Sequence, residues 1–180
     1  MSSADSKKGS GLPEIKTVDD LMRYAYAMEA EAAERYADFA DIMDTHNNRE
    51  VAELFRKLAR IEGRHSEQVL ETMGWKTPPA PPEGGYQWER LSGPESGEPE
   101  DLHYLMQPYH ALQIALHNEK RAFEFFRRLA QSAPAELRQA VTEMEADEAE
   151  HVALIQSWLD RTPKPDPNWA HDPDPPVWND

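Results

Sequence analysis

Between Leu137 and Trp158 apolar residues recur at every third or fourth position, as Leu137, Val141, Met144, Ile155 and Trp158, and Glu148 and His151 stand on the same line. The period is that of an α-helix, so the stripe faces an interior. Residues three apart on a helix lie about 5 to 6 Å apart on one face. Glu148 and His151 therefore point together into whatever packs against this helix. Burying an unpaired carboxylate costs several kcal/mol, and coordination of a metal ion removes that cost. A helical segment that buries an acid and an imidazole side by side is first of all a candidate metal site.

Three further stretches carry the same kind of stripe. A capping pattern, Thr17-x-x-Asp20, opens a helix to about Thr45 with Met22, Ala25, Glu29, Ala32, Tyr36, Phe39 and Met43 on one face. After the short polar turn His46-Asn47-Asn48, a second helix runs to Met73 with Val51, Phe55, Leu58, Glu62, His65, Val69 and Met73 in line, and Gly74 stops it. A third begins near Leu102, with a kink expected at Pro108, and stripes as Leu105, Leu112, Leu116, Glu119, Ala122, Phe126 and Leu129. Ser132-Ala133-Pro134 offers a cap and an early proline to the fourth helix, which ends near Arg161.

Short turns within each pair make antiparallel hairpins. The proline- and glycine-rich residues 74 to 102 are long enough for a crossover that travels the length of a bundle. The expected fold is all-α, an antiparallel four-helix bundle over residues 17–161 with that long crossover between helices 2 and 3. Residues 1–16 read as a disordered leader. Residues 162–180 form a proline-rich tail that holds Trp169, Val177 and Trp178, and two tryptophans in so short a span predict docking on the bundle or on a partner subunit.

The two hairpins repeat one another. In the first, Glu29 is followed seven residues later by Tyr36 and then by Glu62-Gly-Arg-His65; in the second, Glu119 is followed by Phe126 and then by Glu148-Ala-Glu-His151. The motif Glu-x-x-His is weak alone, and a third copy, Glu100 to His103, has no lone glutamate partner and reads as bland. Placement in mid-stripe, pairing with a lone glutamate and duplication are what single out the other two. Four glutamates balance two divalent cations, and two neutral imidazoles add nitrogen ligands, so the loaded cluster is neutral. Carboxylate-rich ligation suits iron or manganese, with zinc also able to bind.

Composition removes other readings. Lys and Arg total 19 against 34 Asp and Glu, a formal charge of -15, which argues against nucleic acid or an anionic membrane as partner. There is no cysteine, which excludes disulfides, iron-sulfur clusters and thiolate metal sites. No apolar leader or membrane-length apolar run is present, so a cytoplasmic protein is expected.

A lone glutamate from each of two helices plus Glu-x-x-His from each of the other two is the ligand set of the ferritin-like dinuclear carboxylate proteins. The surrounding AMEAEAAERYADFA, RKLARIEGRH, ALHNEKRAFEFF and EADEAEH resemble the rubrerythrin branch, without its rubredoxin domain. The resemblance implies two iron ions bridged by Glu62 and Glu148, with Glu29 and Glu119 terminal, His65 and His151 ligating one metal each, and Tyr36 hydrogen-bonding behind them. It implies a diiron oxidoreductase that oxidises Fe(II) with O2 or hydrogen peroxide, drawing electrons from an external donor, and a homodimer is expected. Alternatives are an iron-storage protein and a diiron substrate hydroxylase.

Three positions depart from the family pattern. The four cysteines of the rubredoxin domain are missing, Phe126 replaces a second tyrosine, and Ala122 stands where an extra glutamate is tied to peroxide reduction. The last argues against rapid peroxide turnover while leaving Fe(II) oxidation in place. Among the remaining charges, Glu31, Glu34, Glu124, Glu143, Glu145 and Glu150 read as solvent-facing, and His110 and His117 as surface histidines rather than a second metal site. Trp75, Trp88, Phe123 and Phe125 read as packing groups.

Overall fold

The computed structural model describes residues 12–88 and 93–175. Four long helices account for nearly all of its regular structure: α1 (Val18–Thr45), α2 (Arg49–Met73), α3 (Pro108–Ser132) and α4 (Ala135–Arg161). No strand occurs among the described residues, and none of their helices is long and apolar enough to cross a membrane. Residues 1–11 of the expected leader, and Val177 and Trp178 of the tail, lie outside the described residues.

Local chemistry sets the ends of the first hairpin. Thr17 caps α1 by accepting a hydrogen bond from the Asp20 amide at 3.0 Å. Asn47 takes the left-handed conformation, φ 57°, that lets the chain reverse, and asparagine tolerates it better than most residues. The Asn48 side chain accepts from the Val51 amide at 3.4 Å, and Gly74 closes α2 with φ 66°.

Two helix starts differ from expectation, both through proline. α3 begins at Pro108 instead of near Leu102, because a proline in the first turn suits a helix start while forcing the residue before it, Gln107 (φ -112°, ψ 165°), to stay extended. No kink is needed. At α4 the flanking residue is Pro134 itself; Ser132 still belongs to α3 and donates to the Leu129 carbonyl, so it caps nothing.

α1 packs along α2, and α3 along α4, while α2 and α3 barely meet. The crossover carries the chain back along the bundle. Asn48, at the start of α2, donates through Nδ2 to the carbonyls of Tyr104 (3.2 Å) and Met106 (2.7 Å), so α3 starts at the same end as α2. A single 3-10 turn, Pro99–Asp101, precedes this stretch of the crossover.

The apolar interior falls into two clusters. One gathers Tyr36, Phe39, Met43, Phe55, Leu58, Leu112, Leu116 and Ile155; the other gathers Leu21, Tyr24, Met28, Phe125, Phe126, Leu129, Leu137 and Val141. Each large side chain so buried contributes about 1.5–3 kcal/mol. The stripes predicted from the sequence supply most of the first cluster and part of the second, to which Leu21, Tyr24, Met28 and Phe125 add from beside the stripes, and the stripe glutamates form a polar belt between the two. The tail docks: Trp169 lies against His110, ring centroids 3.9 Å apart, and Asp172 accepts a hydrogen bond from the Tyr104 hydroxyl at 2.9 Å.

Candidate metal centre

Each of the four helices sends one glutamate into the belt from its middle. Glu29, Glu62, Glu119 and Glu148 are all buried, and His65 and His151 follow their glutamates by one helical turn and are half-buried. The contacts repeat between hairpins. His65 Nδ1 lies 3.1 Å from Glu62 Oε2 and 3.5 Å from Glu29 Oε2. His151 Nδ1 lies 3.4 Å from Glu148 Oε2 and 3.6 Å from Glu119 Oε2. Ligand atoms of Glu29, His65 and His151 fall within 4.8 Å of one another, as do those of Glu29, Glu95, Glu148 and His151. The six residues singled out by periodicity thus converge on one buried cluster.

The electrostatics follow from placing many carboxylates in a dry interior. Burial raises the pKa of Glu29 to about 8, with Glu148 and Glu62 pushing the same way against its hydrogen bond to His65. Burial likewise raises Glu119 to about 7, assisted by Glu62 and Glu148 and opposed by His151. For the imidazoles burial disfavours the charged form, but hydrogen bonds to the acids outweigh it. Glu29 and Glu62 lift His65 to about 9, and Glu119 and Glu148 lift His151 to about 11. All four groups bind protons more tightly than in water. Without a metal ion, protons are the available positive charge.

The donor set suits a pair of metal ions. The buried Glu29 Oε2, Glu119 Oε2, Glu148 Oε2 and His151 Nδ1 meet their imidazole or carboxylate partners only across long contacts of 3.4 to 3.6 Å, and once the imidazoles give up their protons these atoms are acceptors for a cation. Oxygen-rich ligation with two nitrogens and no sulfur fits iron or manganese.

Around the cluster, the buried Tyr36 hydroxyl accepts from Asn118 Nδ2 at 3.3 Å. Burial raises its pKa well above the ordinary phenol value, and the charges of Glu119 and Glu62 add to this. Phe126, its counterpart in the second hairpin, is fully buried and offers no hydroxyl. A cavity of about 980 Å³ opens between α2 and α4 and reaches Glu29, His65, Glu148 and His151. Met22, Val69 and Met144 supply apolar wall, and Glu71, Glu143, Asp147 and Glu150 an acidic lining.

Glu31 is not solvent-facing: it is half-buried, and its Oε2 accepts from the Gly93 amide at 2.8 Å, holding the crossover to α1. Sequence reasoning also missed Glu95, which sits in the crossover with 2% exposure and no partner for either carboxylate oxygen. A loop residue has no periodic signal, and the glycines and prolines beside it had marked only irregular chain. The third motif pair stays apart from the cluster: Glu100 is exposed, and His103 packs on Tyr104, centroids 4.8 Å apart. His110 is covered by Trp169 and His117 is exposed.

Residues 20–79, which span α1, α2 and the first part of the crossover, match the family described as Rubrerythrin. A crystal structure of an uncharacterized conserved protein from Magnetospirillum magnetotacticum MS-1 is similar at 35% identity with a TM-score of 0.58, over 84% of this chain and 99% of that one. No curated protein matches.

Proposed function

The chain belongs to the family of that Magnetospirillum protein, within the ferritin-like superfamily, and from this premise we propose that it is a dinuclear iron oxidoreductase that oxidises Fe(II) with O2 or hydrogen peroxide. The observation that carries the reading is the repeat: each imidazole nitrogen rests on the two carboxylates of its own hairpin, and the two triads meet in one buried cluster. Glu29, Glu62 and His65 from one hairpin and Glu119, Glu148 and His151 from the other would hold the metals. Bound there, two iron ions supply the electrons that reduce the oxidant.

The protein's own residues do the rest. The two apolar clusters on either side of the belt exclude water, so the charges of the ligands act at low dielectric. Tyr36 and Asn118 hold a hydrogen bond within the electrostatic reach of Glu119 and Glu62. The acidic side chains lining the α2–α4 cleft concentrate cations at the flank where His65 and His151 stand. That lining favours Fe(II) as the molecule admitted over the apolar substrate of a hydroxylase. Electrons for repeated turnover come from an external donor or from fresh Fe(II), and the homodimer and the cytoplasm remain the assembly and setting proposed.

Anaerobic titration with Fe(II), followed by O2 or peroxide and near-ultraviolet absorbance, tests the reading. Two Fe(II) per chain with oxidation on mixing supports it; no saturable binding overturns it. Many irons per chain in a large assembly would mark storage instead.

A further inference from the structure

The crossover does more than connect α2 to α3. It delivers Glu95 into the belt, where it is 2% exposed and neither carboxylate oxygen has a hydrogen-bond partner. One of those oxygens lies within 4.8 Å of ligand atoms of Glu29, Glu148 and His151. A structural acid buried in its neutral form would donate its O–H to a neighbour and accept through the other oxygen. Glu95 does neither.

The surrounding backbone is built to hold it there. The Gly93 amide donates to Glu31 Oε2 of α1 at 2.8 Å, the Ser96 amide donates to the Gly93 carbonyl at 3.1 Å, and Arg121 of α3 donates to the Ser96 carbonyl at 3.4 Å. Gly97 lets the chain lie against the bundle: a Cβ there would stand 3.0 Å from Phe39 Cε2 and 3.3 Å from Asn118 Nδ2. These anchors are on α1 and α3, so Glu95 reaches the cluster from the face opposite the α2–α4 cleft.

We propose that Glu95 is a seventh protein ligand of the metal centre, so that metal binding clamps the crossover onto the α1–α3 face. The inference rests on the dinuclear reading of the site and extends it. It makes the centre a belt of five carboxylates and two imidazoles in which one ligand belongs to a loop and the others to helices. Five carboxylates balance a total metal charge of five, so Glu95 favours a centre in which one ion is trivalent over one in which both are divalent. Loop and metal are then linked: whatever stabilises the docked crossover tightens metal binding, and bound metal holds the crossover down.

The test uses Zn(II) and Mn(II), which bind without redox chemistry, on the full chain and on Glu95→Gln and Glu95→Ala. Metal content is measured after equilibrium dialysis, and amide hydrogen exchange is followed at Gly93, Glu95, Ser96 and Gly97. In the unaltered protein two metals per chain should slow exchange at these amides by about tenfold or more. Both variants should keep bound metal through the six helix ligands and lose the metal-dependent slowing. A merely structural role for Glu95 would change exchange equally with and without metal, and that result overturns the inference. So does a chain that binds two metals with no slowing at the crossover. A chain that binds no metal at all overturns the dinuclear reading first. Glu95→Gln is isosteric and keeps the comparison available if the alanine variant folds poorly.

Discussion

The imidazoles of His65 and His151 lie face to face, ring centroids 4.2 Å apart and planes inclined by 7°, although they belong to different hairpins. Two protonated imidazoles would repel at that distance, yet the carboxylates of their own hairpins draw both pKa values above the free value of 6.5, to about 9 and about 11. The stack is thus held by four acids rather than by any attraction between the rings. Two metal ions could take the place of those protons.

Proton release on metal binding follows directly. At pH 7 both imidazoles carry a proton in the metal-free chain, and each must lose it to become a ligand. Glu29, raised to about 8, adds a further fraction. Calorimetric titration with Zn(II) in buffers of different ionisation enthalpy should show at least one proton released per imidazole. Uptake without proton release would mean that the histidines are not ligands.

The same shifts fix how metal-free stability depends on pH. Glu29 and Glu119 have folded pKa values raised above the ordinary 4.5 to about 8 and about 7, so their contribution is complete below 4.5 and is lost as pH rises through 7 to 8. His65 and His151 are raised above 6.5, so theirs is complete below 6.5 and is lost through 9 and 11. All four slopes have one sign. Thermal melts of the metal-free protein should therefore fall steadily from about pH 5 to pH 9, and Glu29→Gln should flatten the part between pH 5 and 8.

A buried acid kept for chemistry lowers the stability of the bundle that carries it. Glu119 is 2% exposed, the charges of Glu62 and Glu148 oppose its own, and His151 keeps Glu148 as a partner without it, so its replacement by an apolar side chain of similar volume strands no charge and belongs with the buried-ion replacements that are neutral or stabilising by about 1–4 kcal/mol. Glu119→Met should raise the melting temperature of the metal-free chain and abolish binding of the second metal. A fall in melting temperature would show that Glu119 contributes structurally even without metal.

How far these features could be read in advance depended on whether they had a period. The mid-stripe residues Glu29, Glu62, Glu119 and Glu148 were visible because helix geometry ties spacing to facing, and all four are buried. Helix ends at Thr17, Asn48 and Gly74 were visible because capping is local chemistry. Glu31 and Glu95 were not, since Glu31 meets the crossover and Glu95 meets the helices only through contacts far apart in sequence and related by no repeat. The start of α3 was misplaced because apolar Leu102 and Leu105 continue the stripe, while Pro108 decides the backbone. The tail fell between these cases: its tryptophans announced docking, and only packing could show that Trp169 lies on His110.

That docking is open to a direct measurement. Trp169 is partly buried against the first apolar cluster and lines a cavity of about 370 Å³ with His103, Met106 and His110. Trp169→Ala removes this cover, and at a half-buried site the cost should be below the 3–5 kcal/mol of a fully buried aromatic, about 1–2 kcal/mol. For a domain of this size that corresponds to a melting temperature lower by roughly 3–8 °C. Metal content should stay unchanged, because the tail touches the α3 end of the bundle and not the belt. Loss of metal along with stability would mean that the tail bears on the centre itself.

Gly97 offers the sharpest test of how closely the crossover must approach. An added Cβ would meet Phe39 Cε2 at 3.0 Å and Cζ at 3.2 Å, and Phe39 is wholly buried between Tyr36 and Phe55 with ring centroids 6.4 and 5.3 Å away, so it has little room to yield. The loop must lift instead. Overpacking of this kind costs about 1–3 kcal/mol, and most of that strain should appear as undocking of residues 93–97, because the loop is less firmly held than the helix core. Gly97→Ala should therefore lower the melting temperature only slightly and speed amide exchange at Gly93 and Ser96 several-fold, with α1 unaffected. If exchange along α1 rises as much as it does in the crossover, the phenylalanine has moved and the approach is softer than the distances imply.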